Sequence, residues 1–169
     1  MKIIALALLG LACALTGNYI AYRLNNRVIL LEKLEIMINA IVCEVNYLST
    51  PSENVVLFLS KRRDLSRLHF LIKCNDYISE GADFRTAWQR AVTDKSDTKY
   101  FNKSDRSLLE AFGNQFGTTD SEGLLSICSM YLEMFKENLN EAKECRDRYA
   151  SLSSGLGLLA GVGTIIVFF

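Results

Sequence analysis

No residue between Lys2 and Arg23 carries a charge, and none does after Arg148. Each run is about 20 residues, the length a helix needs to cross a hydrocarbon core. A chain with two such ends is expected to hang its middle between two membrane helices, at 1–22 and 151–169, with 23–150 as the water-exposed unit. All 19 acids lie between Glu32 and Asp147. Basic residues set orientation. Arg23, Arg27 and Lys33 follow the first run, and Lys143, Arg146 and Arg148 precede the second, against Lys2 alone outside. Both comparisons put the middle in the cytoplasm and both termini on the far side. The alternative is an exported helical protein with a cleaved signal peptide and a C-terminal anchor. Ala12-Cys13-Ala14 offers the cleavage pattern, but the apolar run continues past it to Ile20.

The middle reads as helix throughout. There is one proline in 169 residues, and proline is the residue that most often interrupts helices. Leu24, Val28, Leu31, Leu34, Ile38, Ile41, Val45 and Leu48 step by threes and fours along one helix face. Thr50, Pro51 and Glu53 then form a capping box with proline at the first helical position. Short helices are predicted over 51–61 and 64–79, the latter closed by Gly81, and a third starts near Asp83 and holds Trp88. A polar loop covers 93–105, and a helix from Ser104 reaches Phe116.

In "EAFGNQFGTTDSEG" Gly117 is placed to end that helix. Thr119 and Glu122, with Asp120 between them, cap the next. Gly113 lies inside the preceding helix at a propensity cost, which predicts the close approach of another backbone. A phosphate loop would need a strand before it and Lys-Ser/Thr after the second glycine; neither is present. Cys128, Tyr131, Phe135, Leu139, Ala142, Cys145, Tyr149 and Leu152 form one stripe on a helix from Thr119 into the second apolar run. The fold expected is an all-α antiparallel bundle of about six helices. Its first and last helices continue into the two transmembrane helices and pair with each other.

Small residues line the spans. Ala7, Gly10, Ala14, Gly17 and Ala21 recur in the first, and Ser154, Gly157, Gly161 and Thr164 in the second. Such stripes let membrane helices approach closely. Asn18 is expected to bond across to Ser153 and Ser154. Lys61, Arg62, Arg63 and Arg67 form a local basic patch, a candidate surface for an acidic partner or lipid headgroups.

Chemistry has little to work with. His69 is the single histidine and sits between Leu68 and Phe70. Glu35 and Glu44 read as solvated or paired. "GLGLLA" at 155–160 matches a dinucleotide fingerprint but lacks the strand such a loop requires. Equal numbers of basic and acidic residues, 19 each, give no global field to attract nucleic acid. No metal-ligand spacing, cofactor motif or catalytic set is apparent.

The whole length resembles the stage III sporulation protein AB family of spore-forming bacteria. The resemblance rests on the leading apolar helix, then "EVNYLSTP" (44–51) and Ala87-Trp88. It continues through "LLEAFGNQFGTTDSEG" (108–123) and "YASLSSGLGLLAGVGTIIVFF" (149–169). Leu124 departs from the family, which tends to carry glutamine near there. The resemblance implies a cytoplasmic bundle similar to that of type II secretion and type IV pilus platform proteins. It also implies a place in the complex linking mother cell and forespore, in the mother-cell membrane around the forespore. The expected partners are other stage III sporulation proteins, including the AA-type ATPase, and further copies of the chain.

Overall fold

The computed structural model describes the backbone of residues 2–48, 52–94, 98–116 and 121–168, and side chains over 15–45, 54–94, 98–116 and 123–152. The described elements are all helical. They are α1 (Lys2–Leu48), α2 (Ser52–Lys61), a 3-10 turn (Arg63–Leu65), α3 (His69–Ser79), α4 (Phe84–Thr93), α5 (Lys103–Phe116) and α6 (Ser121–Phe168). α1 and α6, of 47 and 48 residues, are each roughly 70 Å long at 1.5 Å per residue. They make the most extensive contact in the molecule and run antiparallel. Tyr149 meets Gly17, Lys143 meets Glu32, and Glu141 meets Arg27. α2 to α5 pack in succession on one another, with α2 against α1 and α5 against α6.

The α1 stripe is buried from Val28 through Val45, with Leu24 half-buried. Leu30, Met37 and Ala40 are buried too. The extra width exists because α1 faces α6 on one side and α2 with the 3-10 turn on another. On α6 the buried stripe runs Cys128, Tyr131, Phe135, Leu139, Ala142 and stops there. Cys145 and Leu152 are exposed, against expectation. Past Ala142 the short helices no longer flank the pair, so an i, i+3, i+4 stripe has only α1 to lean on.

The predicted helix over 64–79 is two elements. Leu68 takes φ −91°, ψ 73°, a backbone no α-helix contains. Leu65 and Leu68 are both buried, and turning the chain between them lets both reach the core. Gly81 closes α3 at φ +96°, the left-handed region glycine enters without steric cost. Asp83 caps α4, its carboxylate accepting the Thr86 backbone N–H at 3.1 Å. α5 ends at Phe116 and α6 begins at Ser121. Gly117, Thr119 and Asp120 lie outside the described residues, as do Thr50, Pro51 and the side chain of Glu122.

The short helices are held by an aromatic core around Trp88. Its ring centroid lies 5.3 Å from Phe70, 5.6 Å from Phe84 and 5.9 Å from Phe112. Its Nε1–H donates to the Leu109 carbonyl at 3.0 Å, which satisfies the one polar atom that burial would otherwise strand. The approach to Gly113 is by the Trp88 side chain and not by another backbone. A Cβ on Gly113 would overlap the indole at Cγ, Cδ1 and Nε1. Glycine is there to admit a tryptophan.

Among the described residues no helix is long and apolar enough to cross a membrane. Most of the two charge-free runs, 1–14 and 153–169, lies outside the described side chains.

Candidate functional site

A buried ionic clamp that no sequence motif announced ties α1, α5 and α6 together. Asp105 is fully buried. Its Oδ2 accepts Arg27 Nε–H at 2.8 Å and the Asn102 backbone N–H at 3.0 Å. Its Oδ1 accepts Arg27 Nη2–H at 3.2 Å and Asn138 Nδ2–H at 3.0 Å. Four N–H groups fill the roughly four lone-pair positions of a carboxylate. Asn102 returns the backbone bond, its Oδ1 accepting the Asp105 N–H at 2.7 Å. Asn102 and Asp105 are thus a capping box for α5, and the same carboxylate holds the inter-helix guanidinium. Glu141 adds a longer contact to Arg27 at 3.5 Å. Burial pulls the Arg27 pKa down, and the hydrogen bonds and charges of Asp105 and Glu141 more than reverse it, so the group ends above its ordinary value. The clamp fixes helices and leaves no lone pair on Asp105 for a substrate. Arg27, read from sequence as a flanking charge of the first span, is buried inside this clamp.

The basic patch divides. Arg62 forms a two-pronged pair with Asp64 at 2.7 and 3.1 Å and lies over the Phe58 ring, 5.6 Å from its centroid. That hydrogen bond first, then the charge, lowers the Asp64 pKa below its ordinary value. Lys61 and Arg63 are exposed at the end of α2 and in the 3-10 turn. Arg67 points elsewhere. It lines an open groove of about 650 Å³ with Tyr22, Asn26, His69, Lys99 and Tyr100. The four residues are therefore not one patch. His69 is exposed on this groove instead of packed.

Where the groove meets the N-terminal half of α1, a smaller hollow of about 330 Å³ is lined by Tyr19, Tyr22, Arg23, Lys99 and Tyr100. Arg23 donates to the Lys99 carbonyl at 3.4 Å. Lys99 Nζ sits 4.9 Å from the Tyr100 ring centroid, and Tyr22 meets Tyr100 edge-on at 6.1 Å. The largest exposed apolar side chains gather at this end: Leu15, Tyr19 and Tyr22 on α1 and Leu152 on α6, each about 60% exposed.

Of the small-residue stripes, Gly17 and Ala21 are described: Ala21 is exposed, and Gly17 meets α6. Tyr149 Oη–H donates to the Gly17 carbonyl at 3.1 Å, and a Cβ there would stand 3.4 Å from that oxygen. Asn18 is exposed. The side chains of its expected partners, Ser153 and Ser154, and the surroundings of Ala7, Gly10, Ala14, Gly157, Gly161 and Thr164, are outside what the structure describes. Among the described residues no cluster of three or more His, Cys, Asp or Glu is placed to hold a metal ion.

A family model described as stage III sporulation protein AB matches residues 2–169. Stage III sporulation protein AB of Bacillus subtilis (strain 168) is 21% identical over 168 residues, covering 99% of this chain and 98% of that protein. No solved structure matches the chain.

Proposed function

The chain belongs to the stage III sporulation protein AB family, and on that footing we propose that it is a non-enzymatic platform subunit of the sporulation channel complex. It would be anchored by two membrane helices in the mother-cell membrane around the forespore, with residues 23–150 in the cytoplasm. One observation carries this reading most directly. The two longest helices are antiparallel partners whose bonded rungs continue toward both charge-free ends of the sequence, as a two-span hairpin requires. The bundle then stands on the membrane as a fixed body, offering its short helices to partners. Its most buried carboxylate is committed to structure, which suits a scaffold better than a catalyst.

The partner proposed is the secretion-type ATPase of the same complex, with Lys61, Arg63 and Arg67 as candidate contacts. Crosslinking followed by pull-down of the full chain from sporulating cells tests this: the ATPase is expected to copurify. Its absence from crosslinked material that does contain other stage III proteins refutes the contact. A reporter inserted in the 95–102 segment tests orientation; activity of a reporter that works only outside the cytoplasm refutes the topology.

A further inference from the structure

We propose that the hollow between Tyr19, Tyr22, Arg23, Lys99 and Tyr100 is a seat for the phosphate of an anionic phospholipid. The inference deepens the anchored reading above and rests on it. Among the described residues two cations, Arg23 and Lys99, line the hollow, and no carboxylate does. Arg23 is held across it by its bond to the Lys99 carbonyl. The walls are three tyrosines, two of them in edge contact. Tyrosine prefers the membrane–water boundary, where its ring lies among acyl chains and its hydroxyl among headgroups.

Position agrees with composition. The hollow begins at Tyr19, where the charge-free run of α1 gives way to its first charge, Arg23. Leu15 and Leu152 stand exposed on the same end. Tyr19 to Arg23 spans about 6 Å of helix, which matches the roughly 5–7 Å headgroup layer of one leaflet. Of the described acids on this side, Asp105 is closed inside the clamp and Asp94 takes Lys73 at 2.6 Å. Lys99 comes from the connection before α5, so a phosphate bridging it to Arg23 would join α1 to that connection at membrane level. Such a seat would set how far the bundle stands off the bilayer.

The test uses the full chain in zwitterionic detergent, titrated with short-chain phosphatidylglycerol or short-chain phosphatidylcholine. Bound lipid is counted by native mass spectrometry. Phosphatidylglycerol is expected to be retained in clear preference. An anionic surface favours each nearby cation by about fivefold, so R23Q/K99Q should lower its affinity about thirtyfold while Trp88 emission stays unchanged. Equal retention of both lipids, or no effect of R23Q/K99Q, overturns the proposal. Inorganic phosphate displacing the lipid at equal concentration overturns it in favour of a plain anion site, and displacement by a polyglutamate peptide in favour of an acidic protein partner. Carbonate extraction of cells addresses the anchored reading separately. A chain that stays with the membrane but shows no lipid preference overturns this inference alone. A chain that leaves the membrane overturns the anchoring and, with it, the role given to the hollow.

Discussion

Gly113→Ala adds one methyl group to a mid-helix position and should nonetheless destabilise the bundle. On helix propensity alone the change is favourable by about 1 kcal/mol. The structure opposes it. The new Cβ would lie 2.5 Å from Trp88 Cγ, and nearer to Cδ1 and Nε1. Trp88 has nowhere to go, with Phe70, Phe84 and Phe112 packed around it. Forcing a methyl into a filled core costs about 1–3 kcal/mol. Moving the indole also breaks its bond to Leu109, and leaving such a buried donor unmet costs about 1–3 kcal/mol more. The net is a loss of about 3 kcal/mol, or a fall in Tm on the order of 10 °C for a bundle of this size. The chain has one tryptophan, so its emission reports the same site that is strained. In G113A the emission should move to the red as the ring is pushed toward water. Trp88→Ala removes the indole that the methyl strikes, so G113A should cost much less in that background. A double-mutant cycle therefore shows strong positive coupling. An unchanged or higher Tm for G113A in the full chain refutes the packing argument, and so does simple additivity with W88A.

Asp105→Ala leaves Arg27 buried without its partner and should cost about 3–5 kcal/mol in denaturant melts, whereas Arg27→Met with Asp105→Leu should cost less than the sum of the single changes. Burial pushes the Cys74 thiol up to about 12 and the Cys128 thiol up to about 11. Iodoacetamide at neutral pH should therefore label exposed Cys43 and Cys145 in the folded chain, and Cys74 and Cys128 only after unfolding, as read by peptide mass spectrometry. The side chain and backbone N–H of Thr86 hold the Asp83 carboxyl below its ordinary value of 3.8. A depressed carboxyl contributes its stability in full above the unfolded value and loses it as pH falls through the folded one. Melting temperature should thus decline below about pH 4, and Asp83→Asn, which keeps the acceptor but not the charge, should flatten part of that decline.

What could be read from sequence was what repeats locally. The stripe of α1, that of α6 as far as Ala142, the glycine after α3 and the aspartate before α4 are each decided within a few residues, and each is where it was expected. The break before α3 was not visible, because Leu65 and Leu68 stand three apart and suit a helix equally well; only the burial of both shows the turn. The clamp was hidden for another reason. Arg27 is 78 residues from Asp105, and Asn138 is 33 from it on the other side. The local half of the signal, asparagine three residues before aspartate, was present in "NKSD" and marks the start of α5 one residue earlier than predicted. Gly113 was correctly read as a point of close approach, but the partner was a side chain that periodicity had assigned to general core filling. The basic patch is split because Asp64, two residues after Arg62, pairs with that one residue, and Arg67 lines the groove instead.

The rungs between α1 and α6 decide how the protein can move. Glu32 meets Lys143, Arg27 meets Glu141 and Gly17 meets Tyr149, with contacts of 3.1, 3.5 and 3.1 Å, and the first two cross, since Glu32 follows Arg27 on α1 while Lys143 follows Glu141 on the antiparallel α6. They are spread over about 22 Å of α1 and about 12 Å of α6. Sliding one helix past the other would shift the partners of all three rungs relative to one another. Tilting the pair as one body stretches none. A push on the short helices would therefore reach the far end as a swing of a stiff double rod. Any signal this chain carries along its length would be an angle and not a piston stroke.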